Sequence, residues 1–388
     1  MRRSEQRILT THTGSLPRPP ELVHSYQRRN RGETVDLREL GALAAASVRD
    51  VVRKQLAAGI DIGNDGEQGR DSFHLYVRDR LSGVGGAWQR PARTDVERYP
   101  VFKEMRRRLA EAFPSAINDA QLPTAIGEVH HIAPHAVAAE CETFAAALQE
   151  SPASFTEQFM TAPSPGIVAT TIRNAYYDSD ASYLAALGNA LKLEYETIVA
   201  HGFLLQLDCP DLGLERHLYF GDRPLSEFLA FVENVVTVLN TALANVPRDR
   251  VRMHVCWGNS ESPHDSDVPL EHVLPIIQRT NVGAFVLPFA NARHAHEYRC
   301  FERFPLADDQ VLVAGVIDTL SNVVEHPQVV ADRIERIAEA VGDPRRVLAG
   351  TDCGFDTAAG LGRVASDVVW AKLASLSEGA RLASKRLF

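Results

Sequence analysis

The segment His254-Val-Cys256 places an imidazole and a thiol two residues apart. In a β-strand, residues i and i+2 face the same side, so these two side chains would converge on one point. Zinc binds both kinds of donor, and Cys353, at the predicted end of another strand, offers a third ligand. A catalytic zinc ion has three protein ligands and one position open for substrate. An isolated H-x-C pair is more often part of a core, so the predicted zinc site at His254, Cys256 and Cys353 depends on the third residue.

Further residues that can bind or react stand at the ends of other strand-like segments. They are Ser15, Glu67, Asp208, Asp318 and Asp352. In a barrel of parallel strands the carboxyl-terminal strand ends form the active face, so these residues and the predicted zinc ligands would share one surface. Solvated strand ends are also polar, which is the alternative explanation for the acids. It does not account for the cysteines, because Cys is among the residues most often buried.

An alternation of strands and helices would position these residues. Strand-like apolar runs span residues 8–15, 60–67, 159–164, 203–208, 251–256, 284–289, 311–318 and 347–352. Helical spacing of apolar residues covers 37–58, 182–201, 226–244, 270–280, 327–341 and 363–375. Strands that alternate with helices predict a parallel sheet covered on both faces. We therefore predict an α/β fold, the (β/α)8 TIM barrel, rather than a doubly wound sheet, because no G-x-G-x-x-G follows the first strand.

The stretch of about residues 70–156 is long for one crossover between strands. It contains a glycine-rich segment, residues 82–86, which we interpret as a loop, and an alternating run, residues 124–132, which predicts an inserted hairpin. A helix is predicted near residues 137–150. Such insertions at a barrel mouth often form substrate pockets. For the whole chain, residues 1–388, we predict a single catalytic barrel domain with this insertion.

The composition is that of an ordinary globular protein, with 388 residues of which 45% are hydrophobic. A formal net charge of -9 argues against a nucleic-acid partner. No apolar run reaches the roughly 18 residues of a membrane span, and no apolar signal region follows the basic start, so a cytoplasmic protein is predicted. The five cysteines are odd in number and widely spaced, which favours reduced thiols over a disulfide framework. Small molecules are the expected partners, and the sequence leaves a homodimer open.

Six motifs follow one another along the chain in a recognisable order. They are TTHTGSLPRP (10–19), GIDIGNDGE (59–67), QLDCP (206–210), HVCWGN (254–259), GVID (315–318) and GTDCG (350–354). In this order they resemble the C-terminal catalytic barrel of the cobalamin-independent methionine synthase family, in its short, single-domain form. The resemblance covers nearly the whole chain. It implies a (β/α)8 barrel in which zinc activates a thiol, such as that of homocysteine, for alkylation.

The resemblance also implies roles for individual residues. His254, Cys256 and Cys353 match the family's zinc ligands. Ser15, Glu67 and Asp208 match residues that hold the amino-acid part of homocysteine, and two carboxylates are chemically suited to bind its ammonium group. The expected reaction is methyl transfer to the thiol, from a donor that the sequence does not identify.

The sequence departs from the family pattern at two positions. The family's glutamate zinc ligand near the end of the sixth strand aligns with Pro288, which cannot bind a metal. The residues that could replace it as a ligand are Cys209, His294, His296 and Glu297. A proton-donating histidine of the long members aligns with Leu320, which leaves Asp318 as the predicted catalytic group for proton transfer.

These departures leave two alternatives to methionine synthesis open. Zinc with one histidine and two cysteines is also the ligand set of the epoxyalkane–coenzyme M transferase group, in which a thiol opens an epoxide. The uroporphyrinogen decarboxylase superfamily shares the barrel without zinc. Pro288 favours such a metal-free barrel, whereas two thiols beside a histidine disfavour it.

Overall fold

A computed structural model of the chain describes residues 1–112 and 121–388. Its strands are β1 (Ile62–Gly63), β2 (Val84–Trp88), β3 (Leu122–Ala125), β4 (Glu157–Pro163), β5 (Arg173–Asn174), β6 (Leu204–Asp208), β7 (Val251–His254), β8 (Ala284–Pro288), β9 (Val311–Ile317) and β10 (Val347–Thr351). Seven of them form one parallel sheet in the order β1-β4-β6-β7-β8-β9-β10. The other three form a small sheet in the order β2-β3-β5.

Helices connect the strands of the large sheet. The α-helices in the described part of the chain are α1 (Pro20–Asn30), α2 (Leu37–Ala57), α3 (Thr94–Glu97), α4 (Pro100–Ala112), α5 (Pro134–Glu150), α6 (Pro165–Thr171), α7 (Asp180–Ala200), α8 (Asp211–Leu214), α9 (Leu225–Ala242), α10 (Leu270–Ile277), α11 (Cys300–Arg303), α12 (Pro327–Val341) and α13 (Ser366–Leu387). Each predicted helix has a counterpart among them. None of these helices is long and apolar enough to cross a membrane.

The predicted mixed α/β fold with a parallel sheet is confirmed, but the predicted first strand, residues 8–15, is not a regular strand. It makes two isolated parallel bridges, from Thr10 to Ala349 in β10 and from Thr11 to Ile62 in β1. The regular strands therefore form a curled sheet whose two edges are connected through Thr10 and Thr11. Past these bridges the contact is made by side chains, since the Thr13 hydroxyl donates to the Thr351 carbonyl at 2.8 Å.

One face of the curled sheet encloses its own small core. The buried apolar residues of this core are Leu9, Ile62, Phe159, Leu204, Ala284, Val286, Val311, Val313 and Leu348. They come from nearly every strand in turn, as expected when a sheet curls around its inner side chains. From β7 the inner face receives Arg252, whose guanidinium lies 3.8 Å from the Phe159 ring centroid. The larger core lies between the sheet and the helices.

The predicted insertion contains a small sheet in place of a simple hairpin. Strand β3 pairs antiparallel with β2 and parallel with β5, which lies beyond the predicted insertion. Two predictions were therefore wrong in detail: β2 occupies part of the predicted loop at residues 82–86, and the run at residues 124–132 is a strand only up to Ala125. Glycine allows the close pairing, since a Cβ at Gly86 would lie 2.5 Å from the Thr124 hydroxyl oxygen. Residues 113–120 of the insertion lie outside the described residues.

Candidate active site

A pocket opens at the carboxyl-terminal ends of the large sheet's strands. Its empty space is about 510 Å³. It is lined by Thr13, Ser15, Glu67, Phe73, Asp208, Pro210, Leu214, His254, Cys256, Gly258, Asn259, Cys353, Gly354 and Thr357. The pocket thus brings together six of the seven residues that the sequence predicted for the site. Asp318 is the exception.

His254, Cys256 and Cys353, which we call the Cys–His site, lie close together. One nitrogen or sulfur atom from each lies within 4.8 Å of the others, and all three residues are buried. The Nδ1–H of His254 donates to the Val286 carbonyl at 3.2 Å. Its Nε2 is buried without a hydrogen-bond partner among the described residues. Metal-binding histidines typically donate one N–H in this way and offer the other nitrogen to the ion.

The two cysteines of this site differ in the direction of their pKa shifts. A hydrogen bond from Cys353 lowers the pKa of the Cys256 thiol well below its ordinary value, and His254 lowers it further against the effect of burial. The same hydrogen bond raises the pKa of Cys353. Two cysteine sulfurs beside an imidazole with a free nitrogen are a donor set that fits a soft or borderline cation such as zinc.

Contacts at the strand ends position the three candidate ligands. Asp208 and His254 are paired neighbours at the ends of β6 and β7. At the end of β10, the Thr351 hydroxyl donates to the Cys353 carbonyl at 2.9 Å. Next to Cys353, the Asp352 carboxylate accepts backbone N–H groups from the loop after β8, including that of Ala290 at 2.8 Å. Asp352 is therefore a positioning residue that joins two strand ends, a role that the sequence did not indicate.

Glu67 has the most unusual environment in the pocket. Its backbone φ of 57° lies in the left-handed region, which few side-chain-bearing residues adopt. One carboxylate oxygen accepts from the Thr161 hydroxyl at 3.1 Å, and the other is buried without a partner among the described residues. Burial, together with the charge of Asp208, raises the pKa of Glu67 to about 8. A Cβ at Gly14 would lie 2.6 Å from the Glu67 carboxylate, so this approach requires glycine.

Asp208 lines the same pocket, and Gln206 and Arg252 hold its carboxylate in place. Burial raises its pKa to about 6, although the hydrogen bond from Gln206 at 2.8 Å favours the charged form. Arg252 donates to the Gln206 side-chain oxygen at 2.7 Å, so the Gln206 amide must turn its N–H groups toward Asp208. Gln206 and Arg252 are positioning residues that the sequence analysis missed, although Gln206 belongs to the QLDCP motif.

Ser15 meets the Cys353 segment at the first strand end. A Cβ at Gly354 would lie 2.0 Å from the Ser15 hydroxyl oxygen, which explains the glycine after Cys353. The Phe355 N–H donates to the Ser15 carbonyl at 2.9 Å. Asn259, a further lining residue, donates to the Gly354 carbonyl at 2.8 Å.

Asp318, the predicted catalytic acid, does not line the pocket. Its carboxylate accepts the Leu320 N–H at 3.0 Å, and its own N–H donates to Glu325 at 2.9 Å. These contacts are those of a carboxylate that caps a turn, and the catalytic role of Asp318 stays a prediction.

Pro288 ends β8 and is buried against Gly315 of β9, so no carboxylate comes from this position. None of the side chains considered as substitutes for it lines the pocket: Cys209, His294, His296 and Glu297. His294 and Glu297 instead contact each other at 2.7 Å in a separate cluster. Within the described residues, the Cys–His site therefore offers three candidate metal ligands.

Known relatives match the chain over nearly its full length. The methionine synthase of Sulfurisphaera tokodaii is 23% identical over 380 residues, which are 97% of this chain and 93% of that protein. A methionine synthase of Saccharolobus islandicus is 24% identical over 381 residues, which are 97% of this chain and 95% of that protein. No family model matches the chain.

Solved structures show the same fold. The B12-independent methionine synthase from Shewanella sp. W3-18-1, in complex with selenomethionine, gives a TM-score of 0.72 at 19% identity and covers 98% of this chain and 99% of its own. The putative vitamin-B12 independent methionine synthase from Listeria monocytogenes gives a TM-score of 0.61 at 18% identity, with 97% and 98% covered. The resemblance drawn from the sequence motifs is confirmed, and the chain is a relative of the methionine synthases over almost its whole length.

Proposed function

We propose that this chain is a zinc-dependent methyltransferase that acts on a thiol, with homocysteine as the acceptor. Methionine synthases are its curated relatives, which supports methyl transfer to a thiol. The observation that carries the proposal is the composition of one pocket. Two cysteine sulfurs and an unpartnered imidazole nitrogen line it together with two buried carboxylates, neither of which forms an ion pair within the described part of the chain.

The donor set fits zinc, because one imidazole and two thiolates fill three positions of a tetrahedral site and leave the fourth for substrate. Zinc bound there would lower the pKa of a substrate thiol, so that the nucleophilic thiolate forms at neutral pH. His254, Cys256 and Cys353 would hold the ion. The hydrogen bond from His254 to the Val286 carbonyl holds the ring in place and leaves Nε2 available as a metal ligand.

The carboxylates and the hydroxyl would hold the rest of the amino acid. Glu67 and Asp208 would bind the ammonium group, since neither carboxylate accepts a hydrogen bond from a cationic side chain among the described residues. Ser15 would contact the substrate carboxylate. The thiolate sulfur then forms a bond to the alkyl carbon while the bond from that carbon to the donor breaks and its electron pair leaves with the donor.

The proposal specifies the alkyl donor only by its chemical class. The pocket is open to solvent, which suits a small electrophile or a donor that another protein delivers. Pro288 favours one other candidate function, opening of an epoxide by a thiol, because it leaves the ligand set of the epoxyalkane–coenzyme M transferase group. A sulfonate thiol would then replace homocysteine as the ligand.

We also propose that the curled sheet is a (β/α)8 barrel and that the chain is one catalytic domain with an insertion at about residues 70–156. The bridges of Thr10 and Thr11 to β10 and β1 support closure, as does the core enclosed by the sheet. The five cysteines are free, and a site that uses two of them needs a reducing compartment, which we take to be the cytoplasm.

Calorimetry of thiol binding tests the proposed function. Homocysteine should release about one proton more than methionine on binding near neutral pH, because a metal-bound thiol is deprotonated and methionine has no thiol. Titrations in two buffers with different ionisation heats count that proton, and the difference between the two ligands should disappear in metal-free protein. Release with a sulfonate thiol but not with homocysteine would replace the proposal by the epoxide reaction. A zinc-loaded protein that releases no proton with either thiol would exclude thiol activation.

A further inference from the structure

A second group of ligand-type side chains lies outside the pocket. His264, Asp267 and His294 offer ligand atoms that lie within 4.8 Å of one another. His264 Nδ1 is 2.8 Å and His294 Nε2 is 2.9 Å from the same oxygen of Asp267. With His217, described below, we call these residues the His–Asp cluster. They come from the loops that follow β6, β7 and β8.

The outer nitrogens of two histidines are already used as donors. His264 Nε2 donates to the Ser260 carbonyl at 2.8 Å, and His294 Nδ1 donates to the Glu297 carboxylate at 2.7 Å. Metal-bound histidines nearly always make this outer hydrogen bond to a carbonyl or a carboxylate. If both rings are neutral, the inner nitrogens present lone pairs to an Asp267 oxygen, and a cation is needed to hold these three atoms together. That cation is either a metal ion or the second proton of each imidazole ring.

His217 provides an independent observation. Its side chain is fully buried, and its Nδ1 lies 2.7 Å from the second Asp267 oxygen. The geometry is not that of a hydrogen bond, and neither this oxygen nor either nitrogen of His217 has another partner among the described residues. Buried polar groups of native proteins are normally satisfied, so these unpartnered atoms indicate that the surroundings of Asp267 are arranged for a further polar or charged ligand.

We propose that His264, Asp267 and His294 bind a divalent transition-metal ion such as zinc. Imidazole and carboxylate donors suit zinc, iron, nickel or manganese, and the absence of sulfur from these three side chains distinguishes the site from the Cys–His site. None of the three lines the pocket of the Cys–His site. This site is separate from the proposed catalytic function and does not depend on it.

The ion would join the loops that follow β7 and β8 at the active face. Trp257, which follows Cys256, stacks on His294 with ring centroids 3.9 Å apart and an interplanar angle of 18°. Its indole N–H donates to the Val268 carbonyl at 2.7 Å, next to Asp267. His264 has a left-handed φ of 54°, a backbone strain that a metal bond would hold in place. A metal ion in the His–Asp cluster would therefore hold the His294 ring on which Trp257, the residue after Cys256, is stacked.

A variant without the Cys–His site tests this proposal directly. The full-length Cys256→Ser/Cys353→Ser protein is stripped of metal and titrated with Zn²⁺ and with Co²⁺. We expect about one tightly bound ion per chain, and a Co²⁺ spectrum without the charge-transfer band of a cobalt–thiolate bond. Adding His264→Gln or Asp267→Asn should weaken binding by more than about tenfold, since even outer-shell changes cost 10- to 100-fold. His296→Gln is the matched control, because His296 is exposed in the same loop as His294.

The rival state is a cluster held by protons alone. Burial lowers the pKa of His294, but hydrogen bonds to Asp267 and Glu297 outweigh this and raise it to about 9. In that case the stripped double-cysteine variant binds no ion, which would overturn the proposal. Equal binding by His264→Gln and the parent would overturn it too. Because His264 is partly exposed, its glutamine variant should fold, and its melting temperature without metal checks this. Wild-type protein that binds an ion at the His–Asp cluster but none at the Cys–His site would refute the catalytic proposal instead.

Discussion

The Cys–His site and the His–Asp cluster differ most in the space beside them. The Cys–His site lines a pocket with about 510 Å³ of empty space, and its imidazole has a free nitrogen. In the His–Asp cluster, His294 is covered by Trp257, and both of its nitrogens contact carboxylates. A catalytic ion needs an open position, whereas a structural ion is enclosed by protein ligands. Under the two proposals, similar residue types would support catalysis in one region and structure in the other.

The two regions also differ in the pKa of a buried carboxylate. Asp267 is surrounded by histidines, which lower its pKa despite its burial. The Glu67 carboxylate accepts no hydrogen bond from a cationic side chain among the described residues, and burial raises its pKa. A buried carboxylate that lacks such a contact can be stabilised in its charged form by a cationic ligand.

The largest expected effect is on metal content. Cys256→Ser or Cys353→Ser should lower zinc affinity at the Cys–His site by more than about 100-fold, because a ligand is lost rather than an outer-shell contact. The ion of the His–Asp cluster should remain. Elemental analysis measures both, with Cys300→Ser as the control since Cys300 lies outside either group. Full zinc content in both variants would show that Cys256 and Cys353 do not bind the ion.

Substrate affinity should respond to the pocket carboxylates without a change in metal. Glu67→Gln or Asp208→Asn removes one charged contact to the ammonium group, worth about 1.5–3 kcal/mol, or roughly 10- to 150-fold in affinity. Calorimetry with homocysteine measures this, and elemental analysis checks that zinc is retained. Asp318→Asn should leave affinity unchanged, because Asp318 does not line the pocket. Unchanged affinity in both pocket variants would contradict the ammonium role.

The pH dependence should follow the Glu67 carboxylate. With a pKa raised to about 8, Glu67 is protonated below that pH and loses the charge that attracts ammonium. Methionine affinity should therefore fall as the pH is lowered through about 8, approaching tenfold per pH unit. Methionine is the suitable ligand because it has no thiol to titrate. Calorimetry from about pH 6 to about pH 8.5 should give a flatter profile in Glu67→Gln; identical profiles would show that another group titrates.

The smallest expected effect is on stability, at Trp257, which follows Cys256 and stacks on His294. Trp257→Phe keeps an aromatic ring against His294 but loses the hydrogen bond to the Val268 carbonyl. The free energy of unfolding should fall by about 0.5–1.5 kcal/mol, with both metals retained. Urea denaturation measures this change. Loss of metal from the Cys–His site in this variant would mean that the two regions are coupled more tightly than their separate ligands indicate.

The strands were predictable where the apolar run is continuous. Residues 311–317 are buried throughout, and β9 occupies almost the whole predicted segment. At residues 60–67 the prediction was too long, because the Gln55 side chain bonds to both the N–H and the carbonyl of Asn64 and replaces the strand ladder. Polar side chains that substitute for backbone partners cannot be recognised from periodicity. The same limit applies to Thr13 at the first strand.

The sequence by itself determined which donor atoms are available and which of them share a face. The pairing of His254 with Cys256 follows from the two-residue period of a strand, a local property of the backbone. Only the tertiary structure decided which strand ends meet, so that Asp208 and Cys353 line the pocket while Asp318 does not. It also assembled the His–Asp cluster from residues that lie up to 77 positions apart, from His217 to His294. Loop packing sets those distances, and no local spacing encodes them.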